Sequence, residues 1–322
     1  MKENYIRKVA TRSIFHISYL WQYPRPAGDM QWVYIMNLIK EFLKGILIGI
    51  ANIIPGVSGG TMAVSMGVYD KIIMAITGFL KHFKKSVLIL LPYVLGALVG
   101  IGALSFFVEY TLSNYPMQTS GAFIGLIIGG IPVIVKRMKG AKLNVQNGAA
   151  FLLFFLLVTG MAFLSGNEGA ATDIAINAGT VLQLFFVGMI ASATMIIPGV
   201  SGSMVMMILG FYGIIINSIS YFISALVNFN MTVLLHEVGV LMPFGIGVLL
   251  GIGLIAKLIE LLFTRLPIVT YCAILGLIIG SPIAILKKIG LSSVTLPAVL
   301  VTILTFCIGF AISFLLSKDE GE

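Results

Sequence analysis

Apolar residues along this chain gather into long runs separated by short polar stretches, and do not alternate at amphipathic spacing. Ser86 to Val108, Gly148 to Ser165, Val238 to Ala256, Pro267 to Leu286 and Ser293 to Ser317 each form one such run, and Thr119 to Val135 forms a slightly shorter one. A helix needs about 18 or more apolar residues to cross a hydrocarbon core roughly 30 Å thick. Each run therefore predicts one membrane-spanning helix, since open β-structure cannot satisfy its backbone in lipid. Two longer stretches, Leu38 to Leu80 and Thr180 to Val227, have the length of two passes but are interrupted midway.

The interruptions are the same. Ile53-Ile54-Pro55-Gly56-Val57-Ser58-Gly59 returns 143 positions later as Ile196-Ile197-Pro198-Gly199-Val200-Ser201-Gly202, and Gly67 and Tyr69 return at that spacing as Gly210 and Tyr212. Further on, Gly125-Leu-Ile-Ile-Gly129 returns as Gly276-Leu-Ile-Ile-Gly280, and Glu109 as Glu260. This is a duplication of roughly 150 residues. It divides the chain into a basic, aromatic N-terminal extension (1–35), a first membrane repeat (36–166, broken at 55–60) and a second (179–317, broken at 198–203). Residues 1–35 read equally well as an interfacial segment or, with the start at Met36, as an extension, and no cleavable signal peptide is visible in them.

Charge placement orients the repeats, because short cytoplasmic loops collect Lys and Arg. With the N-terminus inside, Lys40 and Lys44 precede the first break and Lys71, Lys81, Lys84 and Lys85 follow it, so that stretch leaves and returns to one side as a re-entrant hairpin. Three crossings follow, past the outer loop at Glu109, the inner cluster Lys136, Arg137, Lys139 and Lys142, and the outer residues Glu168 and Asp173. The second repeat then starts from the opposite face and is inverted, opening to an outer loop at Asn228 to Glu237. This topology leaves only Lys287 and Lys288 of the 20 basic side chains outside and puts both termini in the cytoplasm. The expected fold is an all-α integral membrane protein of two inverted repeats, each a broken re-entrant hairpin plus about three spanning helices, a recurrent transporter plan.

Composition agrees: 59% of residues are hydrophobic and 10% charged, which excludes an ordinary soluble domain. The net charge of +8 follows from loop placement, so no nucleic-acid partner is implied. Cys272 and Cys307 fall inside apolar runs, and His82 and His236 have no clustered partners, so neither a metal site nor a cofactor is expected. Walker A and His-Glu-x-x-His patterns are missing, which argues against an ATP-driven pump or a metal-dependent hydrolase; no enzyme activity is expected.

The breaks carry the candidate chemistry. Pro55 removes a backbone donor and disfavours helix at Ile54, while Gly56, Gly59 and Gly60 permit the reversal. Ser58 or Thr61 can cap the helix that restarts, as Ser201 or Ser203 can after Pro198, Gly199 and Gly202. A helix start exposes unpaired N–H groups and about half a positive charge, an anion site without a basic side chain. Two starts entering from opposite faces would meet at one central cavity suited to a phosphate or carboxylate. Close helix packing by small residues is the plainer alternative for the same Gly and Ser positions. Asn52 can donate to the anion or cap the tip, and Arg265 can offer a guanidinium fork or mark the interface. Asp70 and Lys71 can pair with one another or serve gating and ion coupling, as can Glu109 and Glu260.

At Asn52-Ile-Ile-Pro-Gly-Val-Ser-Gly-Gly-Thr61 followed by Gly67-Val-Tyr-Asp70, the chain resembles the bacterial DUF368 family, and Ile197-Pro-Gly-Val-Ser-Gly-Ser203 followed by Gly210-Phe-Tyr212 fits it too. The resemblance covers about Met36 to Ser317. It implies a flippase of the cytoplasmic membrane that returns undecaprenyl (polyprenyl) phosphate from the outer to the inner leaflet for cell-wall synthesis. Coupling to H+ or Na+ is expected, because a phosphate crosses lipid at great cost unless its charge is neutralised. A transporter or channel for a small soluble anion would use the same helix starts and remains the alternative reading.

Overall fold

The computed structural model describes residues 29–53, 57–164, 176–289 and 295–318. The interfacial reading of the N-terminal segment therefore falls largely outside the described residues, as do Pro55, Gly56, Glu168 and Asp173. The described residues form thirteen helices and no strand: α1 (Asp29–Ile53), α2 (Gly59–Ser65), α3 (Tyr69–Thr77), α4 (Phe83–Asn114), α5 (Pro116–Gly129), α6 (Ile131–Arg137) and α7 (Val145–Leu164) in the first half, then α8 (Ala178–Ile196), α9 (Gly202–Ile208), α10 (Tyr212–Val227), α11 (Met231–Arg265), α12 (Pro267–Ile289) and α13 (Leu296–Ser317).

Among the described residues, seven stretches are long and apolar enough to cross a membrane: Phe83–Leu104, Pro116–Arg137, Val145–Phe163, Ala178–Ile196, Met231–Arg265, Pro267–Lys287 and Leu296–Ser317. Six coincide with the runs read from sequence. The seventh, α8, was expected as one arm of a hairpin, yet its 19 residues rise about 28 Å, enough for a full crossing. Large apolar side chains face outward along these helices, Phe106, Leu249 and Leu315 among them, as a lipid environment requires. Polar starts fix where the helices begin. Asn177 and Thr180 form a reciprocal capping box at α8, and Asn230 and Thr295 accept from the first-turn N–H groups of Val233 and Ala298.

Two expectations about loops change. Glu109 lies within α4 because that helix continues to Asn114, and Glu237 lies within α11, buried, because the helix already starts at Met231. Only Tyr115 separates α4 from α5. Glu237 reaches its neighbour His236 at 3.2 Å, and a short link at Asn228–Asn230 replaces the wider outer loop.

Glycines set the helix pairings, and they do so twice. Gly45 faces the Tyr93 backbone where α1 crosses α4, and Gly188 faces that of Phe244 where α8 crosses α11. On the opposite helix of each pair, Gly96 and Gly100 meet Phe42 and Ile46, and Gly247 and Gly251 meet Phe185 and Met189. Every one of these contacts in the first half maps onto its counterpart at the spacing of the sequence repeat. Backbones approach this closely only where there is no Cβ. The last helices are exchanged between halves: Gly125 of α5 seats α13 at Phe306, and Gly276 of α12 seats α7 at Phe151. Each half is thus closed by a helix from the other, and the core between them draws Met62, Met66 and Ile127 from the first half and Ala256, Tyr271 and Ile278 from the second.

Candidate functional site

Each break is followed by a seven-residue helix and then by a second turn. The chain restarts as α2 or α9, reverses again at Gly67 (φ 75°) or Gly210 (φ 78°), and continues as α3 or α10. α9 and α10 are bent from one another by 111°. The matching Gly67 and Gly210 supply the left-handed backbone that a side chain would strain. A single hairpin tip was expected in each half, and in each half the chain past the break forms a short helix that ends at a glycine turn.

At the first break Ser58 holds the N-cap of α2 in an extended conformation, and its Oγ accepts from the Thr61 N–H at 3.1 Å and bonds the Thr61 hydroxyl at 2.9 Å. Asn52 accepts from the Gly59 N–H at 3.2 Å and donates to the Ile48 carbonyl at 2.9 Å. Asn52 therefore caps the tip. Ser58 and Gly59 are buried, as is α2 from Thr61 through Ser65, and Gly60 is half-buried. Ser65 donates to the Ile127 carbonyl at 3.1 Å, and Gly130 lies against the Ser65 backbone, which seats α2 on the α5–α6 junction.

The second break is looser. Gly199 takes φ +80°, and Ser201 sits at the N-cap of α9 without a side-chain cap bond, because its Oγ bonds the Ser203 hydroxyl at 2.8 Å. The expected serine cap is absent there. Within α9 only Gly202 is buried, whereas α2 is almost entirely enclosed.

The two breaks touch. The Gly199 N–H donates to the Thr61 hydroxyl at 2.5 Å and to the Ser58 hydroxyl at 3.2 Å. The Tyr69 hydroxyl donates to the Ile196 carbonyl at 3.2 Å, and a Cβ on Gly60 would stand 2.6 Å from that oxygen. The two breaks are therefore in contact, one backbone donor of the second being held by two hydroxyls of the first. Beside Gly199, Val200 and Ser201 there is a cleft of about 20 Å³, bounded by Val158 and Met161 of α7 and Ala284 of α12. That is room for about one water and too small for a phosphate.

The charged candidates take partners other than those expected. Asp70 and Lys71 do not pair, since consecutive helical residues point about 100° apart and cannot face one another. Asp70 pairs with Arg137 and accepts from the Tyr271 hydroxyl at 3.2 Å. Lys71 pairs with Glu41 at 2.8 Å, lies 5.8 Å from the centre of the Tyr93 ring, and shares Glu41 with the Tyr93 hydroxyl. Glu109 and Arg265 are exposed near the ends of α4 and α11, and Glu260 is half-buried. None of these three hydrogen-bonds to a break among the described residues. Arg137, Tyr271, Glu41 and Tyr93 were not singled out from sequence; Arg137 was read only as a marker of loop side. Among the described residues no three His, Cys, Asp or Glu side chains gather as metal ligands.

Residues 48–287 match the family described as VCA0040-like, undecaprenyl phosphate translocase-like. A protein of Staphylococcus aureus (strain NCTC 8325 / PS 47) named polyprenyl-phosphate transporter is 31% identical over 290 residues, covering 88% of this chain and 97% of that protein. A protein of Vibrio cholerae serotype O1 (strain ATCC 39315 / El Tor Inaba N16961) with the same name is 24% identical over 262 residues, covering 76% and 77%. No solved structure shows significant similarity. Both relatives are named as transporters. With seven apolar helices of spanning length, the chain is a multi-pass membrane protein, and it belongs to the VCA0040-like, undecaprenyl phosphate translocase-like family.

Proposed function

We propose that this protein moves undecaprenyl or another polyprenyl phosphate across the bacterial cytoplasmic membrane, from the outer to the inner leaflet, and so recycles the lipid carrier of cell-wall synthesis. The observation that carries this reading is the direct meeting of the two breaks, Gly199 N–H on the Ser58 and Thr61 hydroxyls, in a chain of a translocase-like family. Unpaired backbone donors and small hydroxyls at helix starts bind a phosphate group well. Here the Gly199 N–H of the second break is held by the Ser58 and Thr61 hydroxyls of the first, so a phosphate that binds between the breaks must displace this contact.

In the working cycle the two halves are inverted repeats that rock against each other, exposing the breaks to one leaflet and then the other. The enclosed α2 and the looser α9 then represent one end of that motion. The phosphate exchanges with the bonds between breaks, taking the Gly199 N–H and the hydroxyls of Ser58, Thr61, Ser201 and Ser203, with Gly59, Gly60 and Gly202 allowing close approach. The prenyl tail stays in the bilayer outside the helices. Protons or Na+ accompany the charge, with Asp70, Lys71, Glu109 and Glu260 as the side chains to examine. In this arrangement both termini are cytoplasmic.

The test is transfer of undecaprenyl phosphate between leaflets of reconstituted liposomes, under imposed proton or sodium gradients. Wild type should accelerate it, and Ser58→Leu and Ser201→Leu, if folded, should not. Well-folded wild type that moves no lipid under any gradient would sink the proposal.

A further inference from the structure

Three groups from three helices meet beside the first break. Asp70 opens α3, Arg137 ends α6, and Tyr271 comes from α12 in the other half of the molecule. The Arg137 guanidinium donates to Asp70 Oδ2, to the Tyr271 hydroxyl at 3.3 Å and to the Gly67 carbonyl at 3.3 Å, while the Tyr271 hydroxyl donates to the same Asp70 Oδ2 at 3.2 Å. Two donors thus converge on one carboxylate oxygen. A guanidinium fork with a phenol beside it is also the donor set that a phosphomonoester takes. The group bordering a cleft of about 20 Å³ with Gly67 and Tyr69 is only partly enclosed, the side chains of Arg137 and Asp70 being 24% and 21% exposed. A cleft of that size has no room for a phosphate beside the ion pair, so an arriving anion reaches the arginine only by displacing Asp70.

We propose that Arg137 and Tyr271 form a receiving site for the dianionic phosphate headgroup and that Asp70 is its internal competitor, so that headgroup binding there releases the contact between the two breaks. The proposal rests on the function given above and deepens it. A phosphomonoester carries about −1.5 to −2 charges near neutral pH against one on Asp70, which favours the exchange. The mechanical link runs through two adjacent residues: Asp70 is held by Arg137, and Tyr69 holds the Ile196 carbonyl of the second break. Arg137 also grips the Gly67 carbonyl, at the turn on which α2 and α3 pivot. Losing Asp70 and Gly67 together frees that turn and, with it, the α2 hydroxyls that hold Gly199. The position equivalent to Asp70 in the second half is Gly213, so a carboxylate competitor exists on one side only. The latch acts at one end of the cycle, which gives the two membrane faces different requirements for opening.

The experiment uses purified full-length protein in lipid nanodiscs with farnesyl phosphate as probe, and inorganic phosphate and farnesol as comparison ligands. Wild type should bind farnesyl phosphate and, on binding, show faster hydrogen exchange over 197–203. Asp70→Asn should lower its Kd by about tenfold, and Arg137→Gln should raise it roughly ten- to a hundredfold, the scale of hydrogen bonds to a charged group. The double variant Asp70→Asn/Arg137→Gln removes both members of this ion pair; it should fold and bind as weakly as Arg137→Gln. Farnesol should be inert, and inorganic phosphate should compete if the headgroup alone is recognised. Unchanged or weaker binding in a folded Asp70→Asn protein, or wild-type binding in the double variant, would overturn the latch. If wild type moves undecaprenyl phosphate and Ser58→Leu does not, either result removes the latch and leaves the transport function standing.

Discussion

Replacing Thr61 by Val tests the contact between the breaks with almost no change of shape. Thr61 is fully buried, and its hydroxyl is the nearer of two acceptors for the Gly199 N–H, at 2.5 Å against 3.2 Å for Ser58. A buried donor that loses its acceptor costs about 1–3 kcal/mol; since Ser58 still accepts weakly, we take the lower part, about 1–2 kcal/mol. At about 1.4 kcal/mol per factor of ten, local opening becomes roughly five- to thirtyfold more frequent. Hydrogen–deuterium exchange of segment 197–203 in nanodiscs reads that opening directly. Thr61→Val should exchange faster there by this factor, with α5 and α13 unchanged, and Thr61→Ser should stay near wild type. Equal exchange in all three proteins would mean that the breaks are not held together by this bond.

Other perturbations follow from the same contacts. Tyr69→Phe removes the donor to Ile196 and should speed exchange over 194–199 by roughly two- to tenfold, the range of one net hydrogen bond. Gly125→Val and Gly276→Val each drive a side chain into a facing helix backbone, at Phe306 and Phe151. Each should destabilise by about 1–3 kcal/mol or more and lower the melting temperature in detergent, whereas Gly102→Val, with open space around it, should not. Lys71→Met leaves the mostly buried Glu41 carboxylate, among the described residues, with the Tyr93 hydroxyl alone, and should cost about 1.5–3 kcal/mol. Adding Glu41→Gln should restore most of that loss in a thermal melt, because the uncompensated charge goes with it.

Much of this architecture was legible in the sequence, because lipid ties helix length to run length. The doubled Pro-Gly-Val-Ser-Gly marked both breaks, and the recurrence of Gly125 and Gly129 as Gly276 and Gly280 marked equivalent packing faces. What those faces pack against was not readable: a glycine announces close approach without naming its partner, so the exchange of α7 and α13 between halves came only from coordinates. Gly67 and Gly210 were seen to match, but the second turn they make depends on where a seven-residue helix stops. The ion pairs were hidden for another reason. Asp70 and Arg137 are 67 positions apart, and Arg137 sits in a basic cluster that topology already explained. Lys71 beside Asp70 offered a nearer partner that helical geometry forbids.

The central claim is that the converging breaks carry a lipid phosphate, not a free anion. The most direct measurement places the protein in sealed vesicles and follows two cargoes side by side, leaflet exchange of undecaprenyl phosphate and uptake of radiolabelled inorganic phosphate. The account predicts lipid exchange well above protein-free vesicles, abolished by Ser58→Leu and Ser201→Leu, with no uptake of soluble phosphate. Uptake of inorganic phosphate with no acceleration of lipid exchange would contradict it and establish a small-anion transporter.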